Sequence, residues 1–183
     1  MCSATAKQGT IVRGVVWVRV SDGGALEPRI NSSMSHESEN NRYFGTVVID
    51  SDTAQGQRIQ TDIVSFAQKC EFSEPELFAI RLAIEEALVN AIKHGNGSDP
   101  SKKVRIEYSI DHEQFRVCIE DEGPGFDPAS VPDPTDPEFL ERPCGRGLML
   151  MKHYMSLVEY SGRGNCVTML KRRGEVKEDN GDD

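Results

Sequence analysis

Residues 85–95 read Glu-Glu-Ala-Leu-Val-Asn-Ala-Ile-Lys-His-Gly and complete a longer amphipathic pattern. Apolar residues recur three or four positions apart through this region and predict one buried stripe on a helix. They are Leu77, Ile80, Ile84, Leu88 and Ala91. The helical period places Glu86, Asn90 and Lys93 together on the opposite face. Other apolar residues flank that polar face, so the helix is predicted to be covered on two sides, and polar groups in a covered face need partners.

The spacing of Glu86 and Asn90 suits metal-assisted phosphate chemistry. An amide oxygen can coordinate a hard cation such as Mg²⁺, while a carboxylate one turn away can polarise a nucleophile or a bound water. Lys93 could meet phosphate charge. The same residue types are ordinary on a solvated helix face, so the helix alone leaves both interpretations open.

Two glycine-containing segments further along the chain favour a binding site. Residues 115–120 alternate like a strand and lead into Asp121-Glu122-Gly123-Pro124-Gly125. A carboxylate at a strand end can accept a hydrogen bond from an adenine amino group, and glycines let the backbone approach a base closely, although a plain turn has the same composition. Gly145-Arg146-Gly147 opens a second predicted helix over 148–154, with amides that either point at a phosphate or form only a flexible helix start.

The order and spacing of these pieces resemble the histidine-kinase-like ATPase superfamily, which includes gyrase, the Hsp90 chaperones, sensor histidine kinases and MutL. Within it, residues 85–95 are most similar to the anti-sigma factor serine/threonine protein kinases. The resemblance covers about residues 44–172. It implies an α+β fold of the Bergerat ATP-binding type, a two-layer sandwich of helices on a mixed, mainly antiparallel sheet.

The resemblance also implies roles for individual residues. Glu86 would be the general base, and Asn90 would hold the Mg²⁺ that bridges the ATP phosphates. Asp121 would read the adenine. The glycines implied to line the site are Gly123 and Gly125 at the base, and Gly145 and Gly147 at the phosphates. The family element that usually reads Gly-Thr is Gly164-Asn165-Cys166-Val167-Thr168 here, which leaves Thr168 as the candidate hydroxyl.

A proline-rich segment lies between Asp127 and Cys144. Five prolines and few apolar residues disfavour packed helix or sheet there. A mobile nucleotide lid fits better than an interdomain linker, because the chain that follows is too short for an independent domain. Arg142 and Arg146 flank the end of this segment and could reach the γ-phosphate, or form only surface salt bridges.

Length and composition fit one compact domain over residues 44–172. An N-terminal extension over 1–43 precedes it, with one apolar island at 15–18 that fits a strand, and an acidic, disordered tail over 173–183 follows it. Within the domain, a strand is predicted over 44–49 and a capping box at Ser73 and Glu76 starts the motif helix. Strands over 104–110 and 115–120 and a last hairpin around 158–170 complete the sheet.

Two histidines lie near these features. Ser35-His36-Glu37 superficially resembles the phospho-acceptor box of sensor histidine kinases. It lies in a polar stretch without the amphipathic helices that would present it, so His36 is interpreted as a surface residue. His94 follows the motif helix and is interpreted as a cap on its last carbonyls.

Charge, hydropathy and cysteine spacing argue against a nucleic-acid-binding, membrane-spanning or disulfide-linked protein. The net charge of −9, from 30 acidic and 21 basic residues, argues against generic nucleic-acid binding. No apolar run reaches bilayer-spanning length and no secretion signal is recognised, which predicts a cytoplasmic protein without membrane contact. The five cysteines are scattered without a Cys-x-x-Cys pair and are interpreted as reduced thiols.

The resemblance implies an ATP-dependent serine/threonine protein kinase that acts as an anti-sigma factor in a partner-switching circuit. It would phosphorylate a STAS-type anti-anti-sigma protein, sequester a sigma factor when that partner is absent, and form a homodimer. Two alternatives stay open. One is a non-enzymatic binding module gated by ATP, which the altered Gly164-Asn165 element keeps in play, and the other is the catalytic half of a split sensor histidine kinase.

Overall fold

The computed structural model describes residues 42–127 and 146–175, together with the backbone of two short strands near the N-terminus. These strands are β1 (Val15–Trp17) and β2 (Pro28–Ile30), which pair antiparallel with each other. The strand predicted in the apolar island at 15–18 is therefore confirmed. The predicted lid and the acidic tail beyond residue 175 lie outside the described residues.

Five antiparallel strands form the main sheet. They are β3 (Tyr43–Asp50), β4 (Lys103–Ile110), β5 (Gln114–Asp121), β6 (Leu157–Ser161) and β7 (Cys166–Arg172), in the spatial order β3-β4-β5-β7-β6. Every pairing in this sheet is antiparallel within the part of the chain that the structure describes. The parallel component of the predicted mixed sheet is thus not found there, while the α+β class is confirmed.

Helices cover one face of this sheet. They are α1 (Thr53–Lys69), α2 (Glu74–Val89), a π-helical segment (Asn90–Gly95) that continues α2, and α3 (Arg146–Tyr154). α2 packs between α1 and α3, as its two apolar sides predict. Strand alternation supplies the other half of the core, since every second residue of β4 and β5 is buried under the helices while the residues between them face outward.

The N-terminal end of α2 is fixed by the predicted capping box. The Glu76 carboxylate accepts hydrogen bonds from the Ser73 backbone N–H and hydroxyl, both at 2.7 Å. Its other oxygen accepts from the backbone N–H of Gly174 at 2.6 Å, just beyond β7. This one buried side chain therefore ties the start of α2 to the end of the sheet.

The C-terminal end of α2 widens into the π-helical segment. The Asn96 N–H donates to the Ala91 carbonyl at 2.8 Å, which spans five residues instead of four. The buried Asn96 side chain then accepts from the Glu122 N–H and donates to the Lys103 carbonyl, both at 2.9 Å. These bonds hold the end of the π-helical segment against the turn that follows β5.

Candidate functional site

A cavity of about 450 Å³ opens between the C-terminal half of α2, the end of β5 and the start of α3. The β6–β7 turn closes its far side. Three of these elements contribute polar groups, and α3 contributes Gly147 and Leu148. The polar side chains are Glu86, Asn90, His94, Asp121 and Asn165, and the aromatic ones are Phe126 and Tyr160. A concave, largely apolar space with a few convergent polar groups is typical of a small-ligand site.

Glu86 and Asn90 stand one helical turn apart in the cavity wall, as their spacing predicts. Gly147, in the first turn of α3, lies directly against the Glu86 carboxylate, and a Cβ at that position would collide with it. Across residues 42–127 and 146–175, no hydrogen bond reaches the Glu86 or Asn90 side chain. Their oxygens therefore face the cavity, where a ligand can use them.

The π-helical segment determines which residues after Asn90 line the cavity. His94 lines the cavity, whereas Lys93 is exposed and lies outside its lining. The placement of Lys93 beside Glu86 and Asn90 is therefore corrected, because the wider π turn rotates it away and brings His94 into line. His94 also lies in the last turn of this segment, at the helix end where its sequence context places it.

Asp121 ends β5 and is held from both sides by Asn165. The Asp121 N–H donates to the Asn165 carbonyl at 3.0 Å, and the Asp121 carbonyl accepts from the Asn165 side-chain amide at 2.6 Å. The Asp121 carboxylate accepts from the Gly123 N–H at 2.7 Å. Gly95 lies so close to this carboxylate that a Cβ there would overlap it. The carboxylate is thus fixed in one orientation at the cavity wall.

Burial raises the pKa of the Asp121 carboxyl above its ordinary value. The Gly123 hydrogen bond and the positive charges of Arg163 and Lys102 act in the opposite direction, and Glu120 adds a smaller upward contribution. Desolvation is the largest of these effects, as expected for a carboxylate in an apolar wall. Such a carboxylate gains from a ligand that donates a hydrogen bond to it.

Two turns interlock around Asp121. Gly125 (φ +79°) lies against the Arg163 carbonyl, and Gly164 (φ +86°) lies against the Phe126 carbonyl, at positions that leave no room for a side chain. The Arg163 side chain donates to the Gly123 carbonyl at 2.9 Å. These contacts join the turn after β5 to the β6–β7 turn, so both turns form one continuous wall of the cavity.

An aromatic pair completes this wall. The rings of Phe126 and Tyr160 meet edge to face, with centroids 5.0 Å apart and an interplanar angle of 75°. Burial raises the pKa of Tyr160 to about 12, so its hydroxyl is neutral at physiological pH. Sequence reasoning missed both rings, and the one signal available for Tyr160 is its alternation with Val158 along β6.

The remaining predicted site residues fall in different places. Gly125 and Gly147 line the cavity, whereas Gly123 is buried behind Asp121 against the Gly95 carbonyl. Thr168 does not line the cavity, because strand alternation turns Val167 inward and Thr168 to the outer face of the sheet. That choice of hydroxyl is corrected. Arg142 and Gly145 lie outside the described residues, and Arg146 is described only as the first backbone position of α3.

The site fits a metal ion that is held jointly with a phosphate ligand. Among the described residues, no group of three or more His, Cys, Asp or Glu side chains comes together to hold a metal alone. Mg²⁺ commonly takes only one or two protein oxygens and completes its shell with phosphates and water. The Asn90 amide oxygen, which faces the cavity, meets that requirement.

Residues 49–171 match the family described as histidine kinase-like ATPase domain. The chain therefore belongs to this family, and membership implies that it uses ATP. This agrees with the Glu86–Asn90 pair, the Asp121 wall and the glycine at the start of α3.

The chain is also similar in sequence to two anti-sigma factors and a serine-protein kinase. The chain is 31% identical over 121 residues to an anti-sigma F factor of Oceanobacillus iheyensis, a match that spans 63% of this chain and 82% of the relative. An anti-sigma F factor of Clostridium perfringens is 30% identical over 120 residues, spanning 62% and 84%. A serine-protein kinase RsbW of Oceanobacillus iheyensis is 27% identical over 124 residues, spanning 64% and 78%.

A solved structure of the RsbU and RsbW domains of Rv1364c from Mycobacterium tuberculosis is also similar. It aligns with 70% of this chain at 14% identity and a TM-score of 0.47. The match spans about a third of that longer chain, 32%. Separately, none of the helices in the described ranges is long and apolar enough to cross a membrane.

Proposed function

We propose that this chain is an ATP-dependent serine/threonine protein kinase that acts as an anti-sigma factor in a partner-switching circuit. Its phosphate acceptor would be a hydroxyl on a STAS-type anti-anti-sigma protein, and its second partner a sigma factor. Relatives named anti-sigma F factor and serine-protein kinase, at 27–31% identity over most of their own length, support this proposal.

The single observation that carries the proposal is the composition of one cavity wall. A carboxylate (Glu86), an amide (Asn90), a buried carboxylate (Asp121) and a helix-start glycine (Gly147) line the same space. These groups come from α2, the end of β5 and α3, so only the folded chain brings them together. They correspond to the four demands of phosphoryl transfer from ATP: activation of the acceptor, cation binding, base recognition and close approach to phosphate.

In the proposed mechanism, Glu86 accepts the proton of the acceptor hydroxyl as its oxygen bonds to the γ-phosphorus. The bond from that phosphorus to the bridging oxygen breaks, and ADP leaves. Asn90 would hold Mg²⁺, which neutralises phosphate charge when it is bound with ATP. Gly147 leaves the Glu86 carboxylate accessible at the start of α3, and a side chain there would block it.

Asp121 would orient the nucleotide by its base. Its carboxylate can accept one hydrogen bond from the adenine amino group while the Gly123 N–H keeps it in place. Asn165 serves this function indirectly, since it holds the Asp121 backbone on both sides. The replacement of the usual Gly-Thr element by Gly164-Asn165 thus supplies a positioning residue in place of a hydroxyl.

The test is transfer of label from γ-labelled ATP, with Mg²⁺, to each STAS-domain protein encoded in the same genome. Acid-stable label on one STAS protein is the expected result. Asn90→Ala is expected to abolish transfer, and Lys93→Ala, an exposed residue of the same segment outside the cavity, is expected to retain it.

Other outcomes separate the alternatives. Acid-labile label on a partner histidine or aspartate would indicate the split sensor kinase. ATP binding with no label on any STAS protein, together with nucleotide-dependent capture of a sigma factor, would indicate the non-enzymatic module. Failure to bind ATP at all would contradict both the proposal and the assignment of this cavity.

A further inference from the structure

Two thiols meet on the outer face of the sheet, away from the helices. The Sγ atoms of Cys118 on β5 and Cys166 on β7 lie 2.8 Å apart. In the register of these strands, Cys118 pairs with Thr168 and Cys166 pairs with Glu120, so the cysteines are diagonal neighbours on adjacent antiparallel strands. Both are free thiols.

The surroundings of the pair differ from those of a core cysteine. Cys118 and Cys166 are partly exposed, whereas Cys70 is fully buried among apolar side chains. A small reagent can therefore reach the pair, and the contact joins residues 48 positions apart in the chain. A disulfide bond is about 2.05 Å long, so the sulfur atoms need to approach by less than about 1 Å to form one.

We propose that Cys118 and Cys166 form a dithiol modification site that a two-electron oxidant of the hydroperoxide class converts to an intramolecular disulfide. With hydrogen peroxide as this oxidant, the first step oxidises one thiol to a sulfenic acid and reduces the peroxide to water. In the second step, the other sulfur attacks the sulfenic sulfur, the S–S bond forms, and the hydroxyl leaves as a second water. The two thiols lose two protons and two electrons in total, which match those that the peroxide takes up.

Burial raises the pKa of Cys118 to about 11, and the adjacent Cys166 thiol adds to this rise. Cys118 is therefore protonated at neutral pH, and its thiol has to lose that proton when its sulfur forms a new bond. Either sulfur can react first with the oxidant, and the same disulfide results.

The disulfide would tie together the two strands that hold Asp121. Cys166 directly follows Asn165, and Cys118 lies three residues before Asp121 on β5. The covalent link would thus join the same two strands close to the hydrogen bonds between Asn165 and the Asp121 backbone. This site and its chemistry do not depend on the proposed kinase activity.

The experiment oxidises the full, reduced chain with graded hydrogen peroxide and, in parallel, with diamide, which oxidises dithiols by another route. Remaining thiols are alkylated, and the protein is digested and mapped by mass spectrometry without reduction. A peptide pair joined at Cys118 and Cys166, with a mass lower by about 2 Da than the two reduced peptides, is expected with at least one reagent.

Matched variants decide whether the linkage is specific. Cys118→Ser and Cys166→Ser should each abolish it, while the double substitution Cys2→Ser with Cys144→Ser should retain it. Circular dichroism before and after oxidation shows that the chain is folded in every sample. Separate alkylation of Cys118 and Cys166 after both reagents, or their linkage only to other cysteines, overturns the proposal.

Discussion

The two ends of α2 place a carboxylate in opposite environments. At the N-terminal end, Glu76 is buried, yet hydrogen bonds from Ser73 and Gly174 outweigh the desolvation and lower its pKa. At the C-terminal end, the π-helical segment lies against Asp121, whose pKa burial raises. One carboxylate is satisfied by the chain itself, and the other is held in place but left incompletely paired.

This difference separates a carboxylate that stabilises the fold from one that is available to a ligand. Glu76 is fully surrounded by donors that belong to the fold, so its ionised form stabilises the folded state. Asp121 is ionised at a cost in the empty protein, and a ligand that donates to it can recover that cost. We therefore expect substitutions at the C-terminal end to alter nucleotide affinity and substitutions at the N-terminal end to alter stability alone.

Gly95→Ala should have the largest effect on nucleotide affinity. The new Cβ would overlap the Asp121 carboxylate and push it out of the wall. The displaced carboxylate can no longer contact the nucleotide, and the cavity wall has to repack around the new methyl group. We therefore expect the affinity for ADP with Mg²⁺ to fall by about a hundredfold, which calorimetric titration measures. Gly97→Ala is the matched control. It strains a left-handed glycine (φ +66°) but meets no atom within 4 Å, so it should lower stability without weakening binding.

Asp121→Asn should weaken nucleotide binding by about tenfold, because the replacement exchanges a charged acceptor for a neutral amide of the same shape. The folded-state pKa of Asp121 is raised, so its ionised form costs stability as pH rises through that pKa. The variant without nucleotide should therefore be at least as stable as the parent at neutral pH. Thermal unfolding of both proteins, with and without ADP, checks this, and a less stable empty variant would contradict it.

Asn165→Ala should weaken nucleotide binding by about threefold to tenfold, since it removes the side-chain bond to the Asp121 carbonyl but leaves the backbone bond intact. A positioning function makes a second prediction. The loss should be larger for adenine than for guanine nucleotides if Asp121 accepts a hydrogen bond from the adenine amino group, as proposed. Equal losses for both, measured by titration of ADP and GDP, would point to a purely structural function.

Glu76→Gln should leave nucleotide affinity within about twofold of the parent and lower the free energy of unfolding by about 2 kcal/mol at neutral pH. The folded pKa of Glu76 lies below its ordinary value of 4.5, so its contribution is present above that value and is lost as pH falls through the folded pKa. Denaturant unfolding at neutral and at acidic pH should show the parent and the variant converging in acid. Glu74→Gln, an exposed residue of the same first turn, is the control and should change stability much less.

The parts predicted from sequence are those fixed by local pattern. The alternation in β4 and β5 and the Ser73–Glu76 capping box depend on neighbouring residues, and the structure confirms them. The π-helical segment was not predictable, because the widening accompanies contacts of Gly95 and Asn96 with a strand end distant in the chain. The pairing of Asn165 with the Asp121 backbone escaped prediction for the same reason, since it joins residues 44 positions apart.

The most direct test of the account compares Glu86→Gln with Glu85→Gln in a single-turnover assay of phosphate transfer, with ADP affinity measured in the same samples. Glu86 lines the cavity beside Gly147, while Glu85 is exposed on the same helix outside it. We expect Glu86→Gln to transfer phosphate about 10²–10⁴-fold more slowly with nearly unchanged ADP affinity, and Glu85→Gln to behave like the parent. Transfer by Glu86→Gln at the parental rate would rule out Glu86 as the general base.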